Sequence, residues 1–470
     1  MSNFALTIGG KATATPDTFE VFNPADETVV AACPRGTIEL LDAAVTNARR
    51  AFRAWSAVPD AERVAKLNAI ADLIETHHKE LAELVTREQG KTQSGPGANL
   101  ELGGAATWTR ATAGLQLPEE VIQDDTSGRI VARRKPVGVV GSITPWNWPV
   151  MIAVWHAMPA IRIGCTVVIK PSPFTPLSTL RLVELMNQVL PPGVINVVTG
   201  DAAVGEHMTA HPGIDKIVFT GSVATGKRVM SNAAQTLKRL TLELGGNDAG
   251  IVLPGTNIEP LLEKLFWGCM LNAGQTCSAL KRLFVHEAQY EDVVRRLASY
   301  CSDVPVGNGM DPKSLIGPLS NRMQRDKVAA LVDEARARGA RIVIGGERPR
   351  GPGYFYPLTV IADATDDMRV VKEEQFGPVI PILKYRTLEE AIERANSLDV
   401  GLGGSVWGNN PQEAAHLARR LECGTAWVNQ HGMVNPLAPF GGVKQSGIGV
   451  EFNVEGLKEY TTLQVLNVAL

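Results

Sequence analysis

The stretch "VGVVGSITPWNWPVMIAVWHAMPAIRIGCTVVIK" (137–170) decides the fold. Residues 137–143 and 165–170 are short, apolar and rich in β-formers, and Pro149 to Ile163 between them reads as a helix. Nothing charged stands between Pro136 and Ile161, a run long enough to span a bilayer. Pro136, Pro145, Pro149, Pro159, Asn147 and the glycines at 138 and 141 argue instead for a buried strand, a turn and a buried helix. The alternation continues: a helix over Leu177 to Val189, the strand "VINVVTG" (194–200), a helix over Ala202 to Ala210 and the strand "DKIVFTG" (215–221). A helix over Ser222 to Ala234 and the strand "KRLTLELGG" (238–246) complete it. Strands alternating with helices imply parallel pairing through right-handed crossovers, hence a doubly wound, Rossmann-like α/β sheet. Ligands in such sheets bind beyond the carboxyl ends of the strands.

Residues 39–57 and 61–88 carry helical apolar spacing. The segment 114–138 reads as two strands around a polar turn at Asp124–Gly128, either an ordinary surface hairpin or one that meets a partner. From about 247 to 440 a second α/β pattern runs, with strands near 281–285, 341–344, 379–384, 403–407 and 424–428, and the tail "EYTTLQVLNVAL" reads as a last strand. A chain of 470 residues predicts two or three domains. The net charge of −3 offers no electrostatic case for nucleic acid or an anionic membrane. The N-terminus lacks the pattern of a secretory signal, and six cysteines (33, 165, 269, 277, 301 and 423) follow no framework spacing, so reduced thiols in a cytoplasmic protein are expected. The eight histidines form no zinc-type spacing, and no metal is expected.

Four stretches carry chemistry. "NAGQTCSAL" (272–280) sets Cys277 among small and polar residues, as an inert buried thiol or as a nucleophile. "LELGGN" (242–247) ends a strand with Glu243 in apolar surroundings, as a paired structural glutamate or as a general base whose pKa burial raises. "PWNWP" (145–149) holds Asn147 between rigid residues, as a packing turn or as an oxyanion donor. "FTGSVATGKR" (219–228) approaches a Walker motif, but Arg228 stands where Ser or Thr would reach magnesium. What remains is a tight turn, or a phosphate site at a helix N-terminus built on Gly221, Ser222 and Gly226. A thiol, a carboxylate, a fixed amide and a dinucleotide-type sheet together fit one reaction, in which a thiolate adds to a carbonyl and hydride passes to a nicotinamide.

Taken in chain order, with "KPSPFTP" (170–176), "EEQFGPV" (373–379), "WVN" (427–429) and "PFGGVKQSGIG" (439–449) added, the motifs resemble the NAD(P)-dependent aldehyde dehydrogenase superfamily over nearly the whole chain. The resemblance implies Cys277 as nucleophile, Asn147 with the Cys277 amide as oxyanion hole, and Glu243 as the base for deacylation. It implies Lys170 on the adenosine ribose, Ser222 on the pyrophosphate, and Glu374 and Phe376 on the nicotinamide ribose and ring. Thr144, Pro145, Trp146, Ser172, Pro173 and Gly200 would complete the cofactor site with Phe219, Thr220, Gly221, Gly226 and Leu244. The aldehyde tunnel would fall at Trp148, Ile152, Trp155, Thr276, Ser278, Val434 and Phe440, which implies an apolar or aromatic substrate. Pro173 departs from the acidic residue of many NAD-preferring members, so NAD is expected with NADP tolerated. Glu243 favours hydrolysis over release to coenzyme A; the rivals are a coenzyme-A-acylating dehydrogenase and a non-catalytic binding protein on the same fold. The implied domains are cofactor-binding (1–115 and 138–245), catalytic (246–440) and an oligomerisation arm (116–137 and 455–470), in a homodimer or homotetramer.

Overall fold

The computed structural model describes residues 4–469; residues 1–3 and 470, at the outer ends of the expected cofactor domain and arm, lie outside the described residues. Residues 137–170 fold as a strand Val139–Ile143, a helix Pro149–Ile163 and a parallel strand Thr166–Lys170. Proline begins that helix, where no amide hydrogen is needed, and Gly164 ends it at φ +101°.

The first sheet has eight strands. Its parallel centre runs Ile195–Val197, Thr166–Lys170, Val139–Ile143, Lys216–Gly221, Arg239–Leu244. In chain order that is 3-2-1-4-5, the order of doubly wound nucleotide-binding sheets, and its direction reverses between Val139–Ile143 and Lys216–Gly221. Strands Leu6–Ile8 and Lys11–Thr13 extend one edge, and Gly447–Ile448 closes the other against Leu242 and Glu243. A second, seven-stranded sheet runs Arg341–Ile344, Thr359–Ala362, Val379–Tyr385, Leu280–His286, Asp248–Val252, Gly403–Trp407, Thr425–Val428. Each sheet has its own buried apolar core. A third sheet joins the last strand, Thr461–Ala469, to Gly128–Pro136 and Glu120–Asp125.

Several elements differ from the sequence expectation. The helical run 61–88 is two helices, Asp60–Thr76 and His78–Gln89, broken at His77. Leu67, Ile70, Ile74, Leu81 and Val85 are all buried and stay in phase across the break, so periodicity does not reveal it. The helix Ala98–Gly114 and the strands Asp248–Val252 and Thr359–Ala362 were not anticipated; that helix buries alanines, whose small side chains leave a weak apolar stripe. The strand expected over 194–200 spans only Ile195–Val197. Before the final strand, Asn453–Lys458 is a helix packed on Pro149–Ile163. Among the described residues no helix is long and apolar enough to cross a membrane.

Candidate active site

Cys277 sits in the loop between a short helix and the strand Leu280–His286. The chain reaches it through three successive left-handed residues, Asn272 (φ +53°), Ala273 (φ +55°) and Gly274 (φ +71°). A side chain at Gly274 would run into the Gly377 carbonyl, and Ala273 holds a conformation that costs roughly 1–2 kcal/mol for a residue with a Cβ. Lys281, buried, holds the loop from below: its Nζ donates to the carbonyls of Thr276 (2.7 Å) and Cys277 (2.9 Å). The Cys277 side chain packs into a cluster with Leu402, Trp427, Phe440, Val434 and Phe452.

Asn147 arrives from the first sheet, four residues past the end of Val139–Ile143. Its side-chain Nδ2 donates to the Gln275 carbonyl at 3.0 Å, two residues before the thiol. An amide has two N–H groups, so this bond commits one and the other is left to donate elsewhere. Asn272 Nδ2 donates to the Asn147 carbonyl at 2.9 Å, and Trp148 Nε1 to Thr276 Oγ1 at 3.1 Å, so the two sheets meet across these residues.

Glu243 lies near the end of Arg239–Leu244, 4% exposed, with neither carboxyl oxygen in a hydrogen bond. Burial pushes its pKa well up, and the charge of Glu451 pushes it further. Burial likewise pushes the Cys277 thiol up to about 12; Lys281 opposes this, while Glu374 and Glu243 add to it. The thiol is therefore protonated at neutral pH in the free protein, and it must lose its proton to react.

The expected cofactor residues fall in three places. Lys170 and Phe219 line a cleft of about 290 Å³ with Asp201, Thr225 and Arg228. Burial draws the Lys170 ammonium down to about 8, opposed by Asp201. Ser222 caps the helix Val223–Ala233, its Oγ accepting from the Thr225 amide at 3.3 Å. Gly226 lies against Leu244, and Gly200 has φ +140° beside Val204. Pro173 instead lines a neighbouring groove with Phe22, Phe174 and Tyr354, and Ser172 Oγ accepts from the Phe174 amide at 3.3 Å. Towards the thiol, Glu374 Oε1 accepts from the Gly246 amide at 3.3 Å and lies 3.6 Å from Lys281 Nζ. A Cβ at Gly245 would strike the Glu374 carboxylate and push it out of this position. Phe376, at φ +52°, meets Trp146 edge-to-face at 5.3 Å. The Thr144 hydroxyl is buried without a partner, and the Pro145–Trp146 turn leads from it to Asn147. A dinucleotide fits this set: a cleft with a cation, a helix N-terminus, and an acid and an aromatic near the thiol.

Of the expected tunnel residues, Trp148 and Ile152 form a buried cluster against which Trp155 packs. Trp155 also meets Phe452 at 4.7 Å and Trp108 at 5.8 Å, and Phe440 stacks on Phe452 at 5.9 Å. Val434 joins the Cys277 cluster, and Thr276 and Ser278 flank the thiol in the chain. Sequence reasoning missed Trp108, Phe452, Lys281, Glu451 and His156. His156 is buried, with Nδ1 2.9 Å from Ser142 Oγ and Nε2 2.9 Å from Thr220 Oγ1 and 3.3 Å from Glu451 Oε1. Its place within an uncharged run was the available signal.

Sequence spacing also missed a cluster of Asp42, His207 and His211. Both His Nε2 atoms approach Asp42 Oδ1, at 2.7 and 3.2 Å. The Gly213 amide donates to His211 Nδ1 (2.9 Å), which leaves the neutral ring's proton on Nε2, facing the carboxylate. That arrangement satisfies the ring as a hydrogen-bond donor and withholds the lone pair a metal would need.

A profile described as the aldehyde dehydrogenase family matches residues 11–466. The chain is 38% identical over 483 residues to phenylacetaldehyde dehydrogenase of Pseudomonas fluorescens, covering 99% of this chain and 95% of that one. The NAD+ complex of aldehyde dehydrogenase from Bacillus cereus superposes with a TM-score of 0.97 at 38% identity, covering 100% of this chain and 97% of that one. Betaine aldehyde dehydrogenase of Staphylococcus aureus in complex with NAD+ gives 0.95 at 35% identity, covering 99% and 94%.

Proposed function

The chain belongs to the aldehyde dehydrogenase family, and from that premise we propose that it oxidises an apolar or aromatic aldehyde to the free acid with NAD or NADP. The observation that carries this reading is a buried carboxyl without a hydrogen bond, Glu243, whose charge acts on the half-buried thiol of Cys277. The Cys277 thiol releases its proton to solvent as its sulfur adds to the aldehyde carbon, and the Asn147 amide with the Cys277 backbone N–H receives the oxyanion. Bound NAD(P)+ supplies the acceptor for the hydride that leaves this thiohemiacetal. Glu243 then takes a proton from water as it attacks the thioester and passes it to the departing Cys277 sulfur, so the acid leaves with the thiol and the carboxylate both restored. Lys170, Ser222, Glu374 and Phe376 are the proposed principal cofactor contacts.

The aromatic wall of Trp108, Trp148, Trp155 and Phe452 supports an apolar substrate. An absorbance assay over benzaldehyde, hexanal, succinate semialdehyde and a trimethylammonium aldehyde tests it. Benzaldehyde and hexanal are expected to lead; a large preference for either charged aldehyde overturns the substrate class. A coenzyme-A thioester product would overturn hydrolysis.

Pro173 offers neither an acceptor for ribose hydroxyls nor a charge against a 2′-phosphate. The kcat/KM values for NAD and NADP are expected to lie within about 100-fold, or roughly 3 kcal/mol of discrimination. A preference for NAD above about 1,000-fold would overturn this and point to Asp201, which lies in the Lys170 cleft.

We assign the protein to the cytoplasm, in keeping with its six free cysteines, and read the third sheet as the oligomerisation arm of a homodimer or homotetramer. Leu463, Val465, Leu466 and Val468 are exposed on the last strand, as are Val121 and Ile122 on the first strand of the hairpin. Leu466→Glu with Val468→Glu is expected to lower the mass measured by light scattering to that of one chain. An unchanged mass, or a wild-type monomer, overturns it.

A further inference from the structure

Two charged residues, Lys91 and Glu101, are buried with side-chain exposures of 1% and 0%. Lys91 follows the helix His78–Gln89, and Glu101 lies in the first turn of the helix Ala98–Gly114. Lys91 Nζ donates to Glu101 Oε2 at 2.6 Å. Its second donation, at 2.7 Å, goes to the backbone carbonyl of Asn147, and it lies 3.5 Å from the centre of the Trp148 ring. The other Glu101 oxygen accepts from the amides of Val150 (2.9 Å) and Met151 (3.1 Å). The pair thus grips the chain on both sides of Pro149, at the residue carrying the oxyanion amide and at the helix start behind it.

We propose that Lys91 and Glu101 are positioning residues that aim the Asn147 amide at the substrate oxygen. The inference rests on the proposed role of Asn147. A buried ion pair is weak evidence for stability, because apolar residues of similar size often serve a fold as well. Orientation is what this pair adds. It is desolvated, and its remaining hydrogen bonds all fall on one five-residue turn, Asn147 to Met151. Burial draws the ammonium down to about 8, and the Glu101 carboxylate opposes that loss of charge. A shift of about 1 Å in a catalytic group can cost roughly 10²-fold in rate.

A double-mutant cycle tests this with Lys91→Met/Glu101→Gln, which removes both charges together and leaves a carbonyl oxygen for the Val150 and Met151 amides. Asn147→Ala alone is expected to lower single-turnover NADH formation by roughly 10²–10³-fold. The paired variant is expected to lower it by about 10–100-fold with the dissociation constant for NAD unchanged. In that background Asn147→Ala should cost only about 10-fold, well below its cost in the wild type, since the amide is already partly misdirected. A full Asn147→Ala cost in the paired variant, whatever its melting temperature, means the pair serves only the fold and overturns the inference. No effect of Asn147→Ala in the wild type overturns the oxyanion reading, and this one with it. If the paired variant does not fold, Glu101→Asp keeps both charges, shortens the reach by one methylene and carries the same cycle; additivity there overturns the inference.

Discussion

Cys277→Ala is expected to bind the dinucleotide as the wild type does and to form no NAD(P)H from any aldehyde, a loss above about 10⁴-fold. No other described thiol is placed to substitute. Cys33, Cys165, Cys269 and Cys301 are buried, and Cys423, half-buried, lies two residues before the strand Thr425–Val428 with its Sγ directed to the Thr425 carbonyl. Iodoacetamide is expected to label Cys277 first and to abolish activity in step. Since burial pushes this thiol up to about 12, labelling should quicken as pH rises from neutrality. Lys281→Met should slow it, because the ammonium is the group that favours the thiolate. Equal labelling of several cysteines, with activity outlasting the modification of Cys277, sinks the assignment.

Glu243→Gln is expected to separate the two halves of the reaction. Up to one NAD(P)H per site should appear in a burst, followed by turnover slowed by about 10²–10⁴-fold, the usual worth of a general base. The base works only when ionised, and its pKa is raised, so the wild-type hydrolytic step should accelerate as pH rises above neutrality. In the glutamine variant that dependence should flatten. Burial is the main cause of the raised Glu243 pKa and the Glu451 carboxyl adds to it, so Glu451→Gln should move the profile to lower pH. Absence of a burst under single-turnover conditions would reassign Glu243 to taking the proton from the thiol.

The sequence displayed the residues that sit at strand ends and in turns. Cys277, Glu243 and Asn147 stand out because a thiol among small residues, an acid in an apolar run and an amide between prolines each violate the local pattern. Their supports do not. Lys91 and Glu101 lie 56 and 49 residues from the backbone groups they hold, and Glu451 is separated from His156 by almost two-thirds of the chain. Such pairings arise only when distant segments pack together against the first sheet, so no window of sequence contains them. The helix break at His77 was hidden for the opposite reason, since its apolar stripe is too regular to show a change of direction.

The strand Gly447–Ile448, although only two residues long, has a bearing on biosynthesis. It is the antiparallel neighbour of Leu242 and Glu243. Until the ribosome has released residue 448, the strand carrying Glu243 is an open edge, with unpaired backbone groups available to any other chain. The third sheet waits longer, because Gly128–Pro136 gains its outer neighbour only from Thr461–Ala469. An early arrest of translation, or loss of the last thirty or so residues, therefore exposes two sheet edges at once. Such chains should be sticky substrates for chaperones rather than shortened enzymes.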